Sequence, residues 1–167
     1  MDFGAEYANY AADLTRTIPV NGKFTKRQKD VYNSVLRVMK GATSMLVPGT
    51  TIENYHKEVG KLMEEELIKL KLLKRNDVKK QDEKNPLYKK YFMHGTSHHL
   101  GLDVHDFGTR FFEKIEAGMV FTCEPGIYIP REKIGVRLEN DILVTKKEPI
   151  DLMKNIPIEA GEIEELM

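Results

Sequence analysis

Met93-His94-Gly95-Thr96-Ser97-His98-His99-Leu100-Gly101-Leu102-Asp103-Val104-His105-Asp106 is the stretch on which the fold and the chemistry of this chain turn. Four of the protein's 5 histidines fall inside it. Imidazole is the commonest metal ligand among side chains and a natural proton shuttle near neutral pH. Crowding it between glycines, which let a backbone turn sharply and approach a ligand, points to a site rather than to a core. If His98 and His99 lie on extended backbone, they point to opposite sides, so only one of the two can ligate.

Working outward, the remaining segments read as elements that bring carboxylates to this stretch. Residues 2–20 read as a hairpin with its turn near Glu6 to Asn9, which sets Asp2 and Asp13 on neighbouring strands. Aspartate is depleted in strands; the pair is either a solvated face or half of a site. Asn21-Gly22 ends the strand with turn chemistry. Thr25 begins a helix with Val31, Val35, Leu36, Val38 and Met39 at helical spacing. Val47-Pro48-Gly49 breaks it. Thr50 and Glu53 fit a capping box for a second helix running to about Leu73, with a buried stripe of Ile52, Tyr55, Val59, Leu62, Met63, Leu67 and Leu70. His56 lies off that stripe and is expected on the surface. Lys74 to Lys90, with interleaved charges, reads as a solvated connector or short helix, and Phe107 to Ala117 as a loop.

A strongly apolar strand pair over Gly118 to Ile129 is interrupted by Glu124-Pro125-Gly126. A glutamate among Val, Phe, Cys and Ile is costly to bury without a cation or hydrogen-bond partners. The proline and glycine predict a break or bulge that aims the carboxylate. In the next strand, Gly135 to Val144, alternation places Arg137, Glu139 and Asp141 on one face. Glu124 and Glu139 thus form a second carboxylate pair in a second hairpin. From Glu159 a short closing helix carries acids in its first turn.

Four converging carboxylates would repel, and two divalent cations would neutralise them. Mostly oxygen ligands with one imidazole suit manganese, iron, cobalt or zinc. Two such ions can activate a nucleophile and stabilise a displaced oxygen, with the other histidines on the oxyanion or moving protons. Cys123 is expected to fill the core rather than to ligate.

Composition bounds the alternatives. The chain has 167 residues, balanced at 26 basic and 26 acidic, so no charge excess favours nucleic acid. No apolar run approaches the roughly 18–20 residues of a membrane span. The single cysteine excludes an internal disulfide. Met1-Asp2-Phe3-Gly4 lacks the basic and apolar regions of a signal peptide, which makes a cytoplasmic location the expectation.

The residues quoted so far carry a resemblance. Asp2-Phe3-Gly4-Ala5-Glu6-Tyr7, the run Tyr10-Ala11-Ala12-Asp13-Leu14-Thr15-Arg16-Thr17-Ile18-Pro19-Val20-Asn21-Gly22-Lys23-Phe24, His94-Gly95, Ser97-His98, Gly101 to Asp106, Glu124-Pro125-Gly126-Ile127-Tyr128 and Val136 to Asp141 occur in the order found in the catalytic domain of aminopeptidase P and prolidase. These are pita-bread metallopeptidases of the creatinase and methionine aminopeptidase superfamily, and the run Thr15 to Phe24 resembles aminopeptidase P more closely.

The resemblance implies an α+β pita-bread fold, an antiparallel curved sheet with helices on its outer face. Residues 1–167 would be the C-terminal part of the catalytic domain, incomplete at the N-terminus. It implies that Asp2 binds one metal, that Asp13 and Glu139 bridge two, and that His98 and Glu124 bind the other. His94 and His105 would contact the substrate or the tetrahedral intermediate, and Arg137 would steady the ligand carboxylates. The cofactors would be two divalent ions, manganese first, with cobalt, zinc or iron as alternatives.

The substrate would be a peptide with proline at its second position, cleaved before the proline. A dipeptidase of the prolidase type, a metal-free creatinase-type hydrolase and an inactive piece serving only structure or binding are the competing expectations. Family members carry an amino-terminal domain ahead of the first metal aspartate. The chain is therefore expected to be a carboxy-terminal piece of a longer protein, with an exposed apolar face and a free sheet edge that favour a homo-oligomer.

Overall fold

Thr25 starts the longer of the two helices that back the sheet. In the computed structural model, which describes residues 1–106 and 114–167, its hydroxyl accepts the Gln28 N–H while the Gln28 side chain takes the Thr25 N–H. This reciprocal cap satisfies two amides that the first turn leaves without partners. Helix α1 (Lys26–Met45) buries Val31, Val35, Val38, Met39 and Ala42 along one side. The loop expected over 107–117 lies mostly outside the described residues.

Helix α2 (Ile52–Lys69) is capped by Thr51, not Thr50: the Thr51 hydroxyl accepts the Asn54 N–H. It also stops short of Leu73. Lys71 enters the left-handed region at φ 60°, and the Lys71 and Leu72 amides return to the Ile68 and Leu67 carbonyls. That pattern closes a helix by satisfying its last carbonyls, and hydrophobic spacing does not reveal it. Ile52, Tyr55, Val59, Met63 and Leu67 form the buried stripe as expected. The lysine-rich connector holds a short helix, α3 (Arg75–Val78), and a 3-10 turn at Leu87–Lys90.

The N-terminal residues form two nested strand pairs. β1 (Asp2–Phe3) pairs with β4 (Leu14–Thr15), and β2 (Glu6–Tyr7) with β3 (Tyr10–Ala11). Ala8 and Asn9, both at positive φ, make the two-residue turn between β2 and β3, the twist that hairpins favour. Glycine is required at position 4, because a Cβ there would lie 1.6 Å from the Ala12 carbonyl oxygen. That close approach sets the Asp13 amide 3.3 Å from the same point, while Asp2 pairs with Thr15 two residues on.

The second half is one long hairpin broken in the middle of both legs. β5 (Val120–Cys123) pairs with β8 (Asn140–Leu143), and β6 (Gly126–Ile129) with β7 (Ile134–Arg137). Cys123 faces Asn140 and Gly126 faces Arg137, so the register is unchanged across the gap and Glu124 falls opposite Glu139. Of the expected break or bulge, the structure has the break: the ladder is interrupted without an extra residue. β9 (Ile150–Asp151) adds to the far side of β8. The closing helix α4 (Ala160–Leu166) is capped by Glu159 and Glu162.

Alternation then sorts the hairpin's residues. Phe121, Cys123, Ile127, Ile129, Val136, Leu138 and Ile142 enter the apolar core with α1 and α2. Thr122, Glu124, Tyr128, Arg137, Glu139 and Asp141 lie on the other face. Among the described residues, no helix is long and apolar enough to cross a membrane.

Candidate metal centre

The histidine stretch lies along β5 like one more strand. The Thr122 amide bonds to the His98 carbonyl, the Glu124 amide to the Thr96 carbonyl and the Leu100 amide to the Val120 carbonyl. Extended backbone sends the two adjacent imidazoles apart, as expected. His99 stacks on Phe121 at 4.2 Å between ring centres. His98 turns to the opposite face, where its Nε2 lies 3.5 Å from both Asp13 Oδ2 and Glu124 Oε1.

On the other side β4 abuts the start of β8, through the Glu139 amide to the Thr15 carbonyl and the Asp13 amide to Asp141 Oδ2. Asp13, His98 and Glu139 each bring a ligand atom to within 4.8 Å of one another. Glu124 reaches the same imidazole, so four of the five expected ligands meet at one place. Asp2 stands one hydroxyl away. Thr15 Oγ1 is 3.0 Å from Asp2 Oδ1 and 2.6 Å from Glu139 Oε2, and Arg137 bonds to both Thr15 and Asp2.

His94 Nδ1 donates to the Gly95 carbonyl at 2.8 Å and lies 3.8 Å from Glu124. The Tyr128 hydroxyl reaches His94 Nε2 at 2.8 Å. His105 packs its ring 4.2 Å from that of His98 and is otherwise exposed. All eight residues singled out in the sequence thus border one region. Cys123 does not: it is fully buried on the helix face, and burial pushes its thiol up to about 12.

His56 corrects the expectation of a surface residue. It is half-buried against the histidine stretch, with Nε2 enclosed and without a hydrogen-bond partner. Burial holds its imidazole below the ordinary value. A ring beside the buried stripe of α2 is exposed only if nothing covers that side of the helix, and residues 95–97 cover it.

The electrostatics fit a cation. Glu139 is 1% exposed. Burial pushes it up to about 8, with Glu124 and Asp13 adding to the shift and the Thr15 hydroxyl opposing it. Burial likewise pushes Glu124 up to about 7, eased by Arg137 and worsened by Asp13. Asp141 rises to about 7 through burial, and its Oδ1 is enclosed without a partner. Asp2 behaves differently: its slight burial is outweighed by Thr15 and Arg137, which hold it below the usual range.

His98 supplies a second argument. Its Nδ1 donates to the His99 carbonyl at 2.9 Å. A neutral ring held that way aims its Nε2 lone pair at two carboxylates, and only a proton or a cation between them makes that favourable. Acidic oxygens with one imidazole are the donor set of a hard or borderline divalent ion.

Thr15, Thr122, Tyr128 and Asp141 complete the site, although nothing in the sequence pattern gave them a part in it. Thr122 Oγ1 accepts the His98 amide and approaches Glu124 Oε1 at 3.4 Å. Strand alternation was the available signal: Thr15 shares a side with Asp13, and Thr122 and Tyr128 share a side with Glu124. Asp141 falls on the charged face by the same alternation, which does not by itself assign it a role.

The chain is similar to known Xaa-Pro aminopeptidases. The Xaa-Pro aminopeptidase of Haemophilus influenzae is 42% identical over 178 residues, covering all of this chain and 41% of its own length. The Xaa-Pro aminopeptidase of Escherichia coli is 41% identical over the same span, with 40% of its length covered. The structure of zinc-substituted E. coli aminopeptidase P in complex with product superposes with a TM-score of 0.85 at 40% identity, covering 99% of this chain and 40% of that one. The chain therefore spans about two fifths of the length of these relatives, and over that part it has the pita-bread fold.

The model of metallopeptidase family M24 matches residues 1–146. That span contains each of the acidic residues and histidines brought together above, and the chain belongs to metallopeptidase family M24.

Proposed function

We propose that residues 1–167 form the C-terminal part of a catalytic domain that hydrolyses the bond between an N-terminal residue and a following proline. The observation that carries this reading is the convergence of Asp13, Glu124 and Glu139 on the His98 imidazole. Asp2, Asp13, His98, Glu124 and Glu139 would hold two divalent ions, manganese first. Such ions, when bound, supply Lewis-acid activation of water and of the scissile carbonyl.

The remaining steps belong to side chains. His94, with Nδ1–H tied to Gly95 and Nε2 accepting from Tyr128, has no Nε2 proton while neutral; as the imidazolium it would donate from Nε2 to the developing oxyanion, with the Tyr128 hydroxyl turned to the same oxygen. His105, exposed beside His98, would meet the peptide from the solvent side. Arg137 would hold Asp2 and Thr15 in place as charge develops. The chemistry of the relatives named above, Xaa-Pro aminopeptidases, supports the proline preference.

The test is hydrolysis of a dipeptide and a tripeptide with proline second, each with and without manganese. The 167-residue chain should be run beside a longer form matching the full length of the relatives. Preference for the tripeptide supports an aminopeptidase, and preference for the dipeptide a prolidase. If neither form cleaves either peptide with any divalent ion, the reading fails. Exposed Phe3, Tyr7 and Val20 support self-association, which light scattering of the 167-residue chain would detect.

A further inference from the structure

Arg16 lies on the far side of the sheet from the carboxylate cluster, and it is 3% exposed. A buried guanidinium needs all of its donors engaged, and this one spends them mostly on backbone. Nη1 donates to the Thr15 carbonyl at 3.0 Å and to the Glu139 carbonyl at 2.8 Å. Nε donates to the Pro157 carbonyl at 2.8 Å, and Nη2 to Asn140 Oδ1 at 2.8 Å. Asn140 in turn donates to Asp151 at 2.7 Å.

The two carbonyls on Nη1 matter most. One belongs to the residue whose hydroxyl touches Asp2 and Glu139, the other to Glu139 itself. Between them runs the single backbone bond from the Glu139 amide to the Thr15 carbonyl. This joint is the seam at which β4, carrying the first aspartate pair, meets β8. At the same point the β5–β8 ladder is interrupted, and the Glu139 and Glu124 amides bond to Thr15 and Thr96 instead of to each other's strand, so the Glu139 main chain is held from the β4 side.

We propose that Arg16 is a positioning residue for the cation site. It clamps the Thr15 and Glu139 main chains from behind, and so sets the separation of the carboxylates in front. Its charge also sits behind the acidic cluster without touching it, which leaves the ligand oxygens free. Arginine is suited to this because its planar fork spans several carbonyls at once, whereas a lysine ammonium acts as one point.

The first arm of the test does not depend on the cluster holding a metal; the second rests on that reading. Amide hydrogen exchange is followed by NMR on the chelator-treated 167-residue chain and on Arg16→Gln. The Glu139 amide should exchange about tenfold or more faster in the variant, while the Phe121 and Ile142 amides and those of α1 keep their protection. In the second arm, cobalt(II) is titrated and its visible absorption recorded. Arg16→Gln should weaken cobalt binding by about 10–100-fold and change the band shape, and Arg16→Lys should recover part of both.

Unchanged protection at Glu139, or an equal loss of protection throughout the chain, overturns the proposal. Should Arg16→Gln not fold, Arg16→Lys carries the same exchange test with a smaller acceleration expected, because an ammonium in the place of Nη1 leaves the Pro157 carbonyl and Asn140 Oδ1 without the donors that hold the fork in position. A wild-type chain that binds no cobalt counts against the proposed function, whereas the exchange result still decides the role of Arg16.

Discussion

Glu124 and Glu139 face each other across the gap where both legs of the long hairpin lose their ladder. Each amide is satisfied sideways instead, Glu124 by the Thr96 carbonyl and Glu139 by the Thr15 carbonyl. The break thus inserts two acids between two flanking strands that carry His98 and Asp13. Placing like charges there is unfavourable in a buried setting, and the raised pKa values of both express that cost.

The first prediction concerns pH. Glu139, Glu124 and Asp141 have folded pKa values of about 8, 7 and 7 through burial, all above their unfolded values. In the folded state they bind protons that the unfolded chain has already released. Their contribution to stability is therefore full below about pH 4, where the unfolded carboxyls are protonated too, and it is lost as pH rises toward 8. Each tenfold change in proton affinity corresponds to about 1.4 kcal/mol before coupling among the three is considered. Thermal melts of the chelator-treated chain at pH 5, 6.5 and 8 should show a falling midpoint, and added manganese should raise it most at pH 8. A midpoint that rises with pH in chelator would contradict this assignment.

Replacing one acid should separate its two roles. Glu139→Gln removes the charge but keeps the shape and a group able to bond with Thr15. The chelator-treated variant should melt at or above the parent at pH 8, because the buried charge no longer has to be accommodated. The rise in midpoint caused by manganese should disappear. Melts with and without the ion check both statements, and a variant less stable than its parent in chelator would show that the Glu139 charge is already compensated.

The Thr15 hydroxyl is a hub with a proton shortage. It lies 3.0 Å from Asp2 and 2.6 Å from Glu139, and it accepts from Arg137 Nε at 3.0 Å. One hydroxyl proton serves both carboxylates only if one of them carries its own, and the raised pKa makes Glu139 that one. Thr15→Val keeps the volume and takes one partner each from Glu139, Asp2 and Arg137, of which the last two keep each other, so it should cost about 1–3 kcal/mol. Thr15→Ser should cost less, since it retains the hydroxyl. Urea unfolding at pH 6 gives both values.

The legibility of this chain in its sequence followed the physics of each signal. Helices α1 and α2 were readable because a buried stripe repeats over many turns, whereas their ends depend on single contacts such as the Lys71 turn. The acids were conspicuous because Asp13, Glu124 and Glu139 are charged residues in apolar strands. His98 separated from His99 by alternation alone. Thr15 and Tyr128 escaped notice because hydroxyls are ordinary in strands, and only their neighbours give them a task. Arg16 sits in a run read as one leg of a hairpin that carries Asp13, and its four acceptors, on Thr15, Glu139, Asn140 and Pro157, are scattered along the chain. No local pattern encodes that.

Gly126 tests whether the His94 arm depends on backbone space. The Tyr128 ring lies across it, and a Cβ at position 126 would stand 2.7 Å from the Tyr128 hydroxyl and 2.9 Å from two ring carbons. Gly126→Ala must therefore push the ring aside or bend β6. Either movement breaks the bond from the Tyr128 hydroxyl to His94 Nε2, which now favours the neutral ring. Overpacking of this kind costs about 1–3 kcal/mol. The His94 imidazole, held low chiefly by burial, should titrate at a higher pH once its Nε2 is open to water. Tyr128→Phe should give the same His94 shift with a smaller loss of stability, because it removes the hydroxyl without moving the strand. NMR titration of the His94 ring in both variants, with urea unfolding alongside, checks the pair. An upward shift in Tyr128→Phe without one in Gly126→Ala would mean that the hydroxyl keeps its bond to His94 despite the added methyl, and the steric argument fails.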